Sequence, residues 1–154
     1  MCLDGSAQYT VDTNEHMVKK NDVILLNDGQ IISNYMFSPD CNGLAFMASM
    51  DFFAEIIKEV HEMSQLFLFA YSNPVFSLKP ENAAMFKEYF SNIRRKVDEK
   101  SHHFRREMAI TLLKAMIYDI GNEIYVRQVN APKRTRAEVI FNDFILLVKE
   151  NFRQ

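Results

Sequence analysis

The sequence lacks the features that place a protein in a membrane or outside the cell. No apolar run approaches the roughly 20 residues that a transmembrane helix needs. The N-terminus has no basic segment followed by an apolar run, so the pattern of a signal peptide is missing. We therefore expect a soluble cytoplasmic protein with no membrane partner.

Cysteine is scarce, with only two in 154 residues. Cys2 and Cys41 do not have the C-x-x-C spacing of a zinc site. The sequence leaves a disulfide between them open, and we favour two free thiols in a reducing cytosol. No histidine stands at a recognisable spacing from Cys41, so a catalytic thiol is not the interpretation we favour.

Motifs of catalysis are absent as well. The chain contains no G-x-S-x-G, no G-x-x-x-x-G-K-[ST] and no G-x-G-x-x-G. His16 is the only histidine in the first 49 residues, so a metal site built on strands would lack ligands. The sequence predicts no catalytic residues, no metal and no cofactor.

An excess of positive charge is missing too. The net charge is −2, whereas a protein that binds nucleic acid by itself is normally basic. A cluster of cations with interleaved acids favours a solvated surface over a phosphate contact, and it comprises His102, His103, Arg105, Arg106, Asp98, Glu99 and Glu107.

What is present indicates a globular α+β protein of one domain, covering residues 1–154. In residues 1–49, short apolar stretches alternate with polar turns. Ala7, Tyr9 and Val11 have the period of two of a half-buried strand, and Leu44 to Ala48 are predicted as the last strand. This pattern is typical of a small antiparallel barrel or sandwich.

Residues 50–154 are predicted to be helical. Ser49 is a candidate N-cap, and Pro80 suits the first turn of a second helix. Thr135 and Glu138 have the spacing of a capping box for the last helix. Phe104 to Val129 form the central helix, and Gly121 within it fits close backbone approach and fraying near the helix end equally well.

The apolar stripe of the central helix is too wide to cover only a small core. We therefore expect the helix to pack on its own domain and also on another helix or subunit. The candidate dimer-interface residues are Met108, Leu112, Ala115 and Met116. In the β-region, Tyr9, Phe37, Phe46 and Met47 are candidates for lining a ligand cavity, although each of them alone is better explained as interior filling.

The chain also resembles a known family, the AraC-family transcriptional regulators. Residues 5–43 resemble their cupin-like sensor domain, chiefly in residues 21–26 (NDVILL) and 28–33 (DGQIIS). Residues 49–53 (SMDFF) are similar to the segment that leaves the barrel, and residues 141–154 resemble the connector before the helix-turn-helix half.

This resemblance implies an N-terminal cupin-like half-barrel in residues 1–49, followed by a helical dimerisation region in residues 50–154. It also implies a homodimer with a small-molecule effector in the barrel. DNA would be bound only through the helix-turn-helix half, which would begin after Gln154. Two other function classes stay open: a protein-interaction module and a cupin-like enzyme.

Overall fold

Residues 1–27, 29–58, 69–71, 73–130 and 144 are described by the structure, a computed structural model of the chain. These residues form an α+β fold with antiparallel sheets, in which residues 69–71 are also helical. In chain order the elements are β1 (Cys2–Asp4), β2 (Ser6–Val11), β3 (Asn14–Lys19), β4 (Asp22–Ile24), β5 (Ile32–Phe37), β6 (Asn42–Gly43), α1 (Met50–Ile57), β7 (Val75–Ser77), α2 (Pro80–Asp98) and α3 (Arg105–Asn130).

The central sheet has the strand order β3-β2-β5. Strands β2 and β3 form a hairpin in register from the pair Ser6 and Lys19 to the pair Val11 and Asn14. Asp12 has a positive φ of 57° in the turn, a conformation that Asp and Asn tolerate better than most residues. Its backbone N–H donates to the Ile31 carbonyl at 2.7 Å, which brings β5 alongside β2. The predicted strand over residues 7–11 is confirmed.

Two smaller sheets accompany the central one. Strand β1 pairs with β6, and β4 pairs with β7, which comes after α1 in the chain. Within the described residues the strands form three separate sheets and no closed barrel. The coarse prediction of antiparallel β-structure joined to helices is confirmed, whereas the cupin-like half-barrel stays a prediction.

The predicted strand over residues 44–48 is wrong, because residues 44–49 have no regular structure and the strand in this region is β6. Gly43 explains the shift. A Cβ at this position would lie 2.9 Å from the Met1 carbonyl oxygen, so only glycine lets the two strands approach this closely. Pairing therefore occurs at Asn42 and Gly43, where the sequence reads as a loop.

The helices follow the sequence signals closely. The Ser49 hydroxyl accepts a hydrogen bond from the Phe52 N–H at 3.3 Å and caps α1, as predicted. Helix α2 begins at Pro80 and has Arg95 and Lys96 in its last turn, where cations complement the helix dipole. The predicted last helix from Thr135 lies outside the described residues, except for Phe144, which is helical and exposed.

The main core lies between α2, α3, α1 and the β4–β7 pair. Its most buried members include Phe86 of α2, Ile56 of α1 and Leu113 of α3. A second, smaller cluster lies under the central sheet and contains Cys2, Ala7 and Val18. Among the described helices, none has the length and apolar character needed to cross a membrane.

Candidate functional site

Two of the four ligand candidates meet on the central sheet. Ala7 of β2 pairs with Phe37 of β5, and Tyr9 points to the same side two residues further on. The rings of Tyr9 and Phe37 contact edge to face, with centroids 5.7 Å apart. Tyr35 also lies 5.7 Å from Phe37, centroid to centroid. These three rings form what we call the aromatic cluster.

The aromatic cluster is open to solvent. Phe37 has 55% of its surface exposed, and Tyr35 has 63%. Tyr9 is half-buried, and its burial is the main cause that raises the pKa of its phenol, followed by the neighbouring Cys41 and Cys2. The cluster could therefore bind an apolar or aromatic group against one surface of the sheet.

The other two ligand candidates lie elsewhere. Phe46 and Met47 are in the irregular segment after β6, and 93% of Met47 is exposed. No ring contact between described residues joins Phe46 to Tyr9 or Phe37. A side chain as exposed as that of Met47 does not form the wall of an enclosed cavity. The structure thus brings together Tyr9 and Phe37 but not the full set of four.

Two surface depressions flank His16 of β3. The larger has a volume of about 270 Å³ and is lined by Val11, Asp12, Asn14, His16, Gln30, Tyr71 and Pro74. The smaller, of about 210 Å³, is lined by Gln8, Glu15, His16 and Met17. None of the four ligand candidates lines either depression. Both are partly open to solvent. No three His, Cys, Asp or Glu side chains of the described residues come together as a possible metal site.

Helix α3 carries a second exposed surface, on the side away from the core. Eight residues at alternating spacings of four and three follow one line, the first of them just before the helix and seven within it, and every one of them is exposed or half-buried. We call this line the outer stripe, and it consists of Phe104, Met108, Thr111, Ala115, Tyr118, Asn122, Tyr125 and Val129. Five of these eight side chains are large apolar or aromatic groups, so the outer stripe is a candidate interaction surface.

The four candidate dimer residues divide between the two sides of α3. Met116 is only 6% exposed and belongs to the main core, and Leu112 packs partly buried against that core. Met108 is exposed and Ala115 is half-buried, and both lie on the outer stripe. Tyr118 and Tyr125 did not enter the predicted set. Both continue the average spacing of 3.5 residues that includes Met108 and Ala115, and this spacing is the sequence signal that identifies them.

Polar contacts fix α3 against α2. The Tyr89 hydroxyl donates to Asp119 Oδ2 at 2.6 Å, and the Asn82 amide donates to Glu123 Oε1. Since Asn82 precedes Tyr89 while Glu123 follows Asp119, the two helices run antiparallel. The hydrogen bond to Asp119, followed by burial and the charge of Asp119, raises the pKa of Tyr89 to about 12.

This hydrogen bond gives a pH-dependent contribution to stability. The pKa of Tyr89 in the folded chain lies above that of an unfolded tyrosine, about 10. The contribution is therefore complete below pH about 10 and is lost as pH rises toward 12. We expect the Tm of the wild-type chain to fall more steeply than that of Tyr89→Phe over this range, as measured by circular dichroism.

The exposed Tyr125→Phe variant is the control, because it removes a hydroxyl to which no described residue makes such a contact. It should follow the wild-type curve at all pH values. Parallel curves for wild type and Tyr89→Phe would show that the Tyr89 hydroxyl does not hold its proton more tightly in the folded state.

The basic residues around the loop between α2 and α3 contact acids of the same chain. Arg106 Nη2 lies 2.8 Å from Glu55 Oε2, and its guanidinium lies 5.9 Å from the centre of the Phe52 ring. Lys96 Nζ lies 2.8 Å from Glu99 Oε2. The contacts of Arg106 tie α3 to α1. Because Arg106 and Lys96 are both paired with acids of the same chain, this region agrees with a solvated surface better than with a phosphate site.

Among the described residues, the aromatic cluster and the outer stripe are therefore two exposed surfaces rich in apolar and aromatic side chains. Comparison of the chain with protein-family models, curated proteins and solved structures found no match in any of the three.

Proposed function

We propose that this chain is the effector-sensing and dimerisation part of an AraC-type transcriptional regulator. The single observation that carries the proposal is the outer stripe of α3, a line rich in aromatic and apolar side chains that is largely exposed in the described chain. In this proposal a helix-turn-helix half supplies the contact with DNA, and a small-molecule effector binds at the sheet.

The outer stripe has the geometry of a helix–helix seam. Alternating steps of four and three residues keep side chains on one line when two helices wrap around each other. Helix α3 has 26 residues, which corresponds to a length of about 39 Å. An exposed apolar line of this length is costly in a monomer and marks an interaction site.

An antiparallel pair of two copies fits the outer stripe residue by residue. In this arrangement the twofold axis crosses the outer stripe at the level between positions 116 and 117 of the helix. The small side chain of Ala115 then faces the ring of Tyr118 of the partner subunit. Thr111 then faces Asn122 of the partner subunit, so polar side chains meet, and Met108 faces the ring of Tyr125 of the partner subunit, a favourable sulfur–aromatic contact. Large groups thus meet small or flexible ones along the seam.

A physical connection links α3 to the β-structure. Arg127, near the C-terminal end of α3, donates a hydrogen bond to the Ser77 carbonyl of β7, and its guanidinium lies 5.3 Å from the centre of the Phe76 ring. Strand β7 in turn pairs with β4. An effector that favours one arrangement of the sheets would in this way favour one position of α3, a population shift that a dimer could transmit.

The association part of the proposal is tested by light scattering after size exclusion, over a series of protein concentrations. We expect the mass of a dimer at micromolar concentration and a shift toward monomer on dilution. A chain that is monomeric at every concentration would overturn the proposal. A monomer that instead purifies with another protein in stoichiometric amount would favour the protein-interaction module, with the same stripe covered by a different helix.

A further inference from the structure

The two cysteines of the chain, far apart in sequence, meet at one edge of the β-structure. Cys2 of β1 pairs with Gly43 of β6, and Cys41 stands two residues before Gly43. Cys41 itself lies in the turn just before β6, where its N–H donates to the Ser38 carbonyl at 3.0 Å. Both cysteines also belong to the second apolar cluster, together with Ala7 and Val18.

The side chain of Cys41 packs against the apolar cluster to which the buried Cys2 belongs. The Cys2 thiol donates to the Asp4 carbonyl at 3.3 Å. The close approach depends on Gly5, where a Cβ would lie only 2.7 Å from the Cys41 Cα. Gly5 therefore lets the segment that carries Cys41 lie directly against the turn after β1.

A disulfide needs Cα atoms about 4.4–6.8 Å apart, so the oxidised form requires Cys41 to lie this close to Cys2. The register between β1 and β6 is already irregular between Cys2 and Asp4, and β6 has only two residues.

We propose that Cys2 and Cys41 are a modification site, at which a peroxide converts the two thiols to an intramolecular disulfide. This inference is independent of the proposed function, since it concerns the β1–β6 edge and not α3. The site nevertheless lies beside the aromatic cluster, because Tyr9 packs against the same apolar cluster as Cys41.

The chemistry has two steps with a definite order. Cys41 is half-buried and Cys2 is buried, so the Cys41 thiolate is the group that meets the peroxide. Its sulfur attacks one peroxide oxygen, the O–O bond breaks, and Cys41 becomes a sulfenic acid, while the departing hydroxide takes up the proton that the Cys41 thiol released and leaves as water. The Cys2 thiolate then attacks the Cys41 sulfur, the S–S bond forms, and hydroxide leaves as a second water. Two thiols and one hydrogen peroxide thus give one disulfide and two waters.

Burial, followed by the neighbouring Cys41, raises the pKa of the Cys2 thiol. A raised pKa lowers the fraction of thiolate at neutral pH and slows attack by Cys2. This agrees with a role for Cys2 as the second, resolving thiol. It also predicts that the disulfide forms faster at pH 9 than at pH 7.

The test treats the intact, dilute chain with hydrogen peroxide and counts its free thiols with a chromogenic disulfide reagent. We expect the count to fall from two per chain to none. Peptide mapping without reductant should then recover the Cys2 and Cys41 peptides joined, lighter than the sum of the two by two hydrogen atoms. Reductant should restore both thiols, and because methionine sulfoxide does not react with the reagent, oxidised methionines do not enter the count.

Two variants check the assignment. In Cys2→Ser, Cys41 should be trapped as a sulfenic acid, detected with a dimedone-type reagent. In Cys41→Ser, Cys2 should stay a free thiol over the same time. Disulfides between two chains only, or sulfinic acid on Cys41 with Cys2 still reduced in the wild-type chain, would overturn the proposal, and the wild-type result decides it even if a variant does not fold.

Discussion

If the chain forms the proposed dimer, replacing Tyr118 with aspartate should convert it into a folded monomer. Tyr118 is at the middle of the outer stripe and 52% of its surface is exposed in the single chain, so the substitution leaves the core intact. In the proposed seam, two aspartates would be buried close to the twofold axis. An unpaired polar or charged group costs about 3 kcal/mol or more on burial, which corresponds to a dissociation constant raised at least 100-fold.

The measurement is the dissociation constant from light scattering or sedimentation, with circular dichroism to show that the helices are retained. Tyr35→Asp is the matched control, since it changes the same residue type at a similarly exposed position on β5, away from α3. It should leave association unchanged. Equal effects of the two substitutions, or a Tyr118→Asp chain that dimerises like the wild type, would show that the seam does not run along the outer stripe.

Truncating Phe86 to alanine should produce the largest loss of stability. Phe86 is 2% exposed in the main core, where its ring contacts Tyr89 edge to face with centroids 6.1 Å apart. Removing a buried phenyl group loses its transfer free energy and leaves a cavity, which together cost about 3–5 kcal/mol. Since small domains are stable by only about 5–15 kcal/mol, this is a large share of the total.

Urea denaturation at one fixed protein concentration measures this loss, and fixing the concentration keeps any contribution of association constant. Phe46→Ala is the matched control, because Phe46 is an exposed phenylalanine of the irregular segment after β6. Its effect should stay below about 1 kcal/mol. Comparable losses for the two variants would mean that Phe86 does not fill the interior as described.

Local signals predicted the elements whose structure depends on nearby residues. Ser49 caps α1 and Pro80 opens α2, since capping and a fixed φ act within a few residues. The apolar spacing predicted α3 over nearly its full length, and Gly121 is buried nine residues before its end, so fraying does not explain that glycine. The alternation in residues 7–11 predicted β2 for the same reason of local periodicity.

Signals of this kind could not locate β6 and β7. Each is only two or three residues long and exists because a distant strand provides its hydrogen bonds, β1 for β6 and β4 for β7. Residues 44–48 have more strand-like composition than Asn42 and Gly43. The close approach that Gly43 permits decided the pairing against composition.

The ligand candidates show the same limit. Tyr9 and Phe37 meet because β2 and β5 pair in the register that the Asp12 turn sets. Phe46 and Met47 were chosen as part of a strand, and without that strand they do not join the aromatic cluster. Tyr35 enters it instead, next to Asn34, whose positive φ of 48° accompanies the irregular register of β5.

By itself the sequence determined the α+β class, the extents of α2 and α3, and the presence on α3 of more apolar surface than a small core requires. Only the tertiary structure decided which residues face inward, and so assigned Met116 to the core and Tyr118 and Tyr125 to the outer stripe. It also brought Cys2 against Cys41, 39 positions apart. The physical reason is that periodicity shows which residues share one side of a helix or strand. Packing between segments distant in the chain decides what that side contacts.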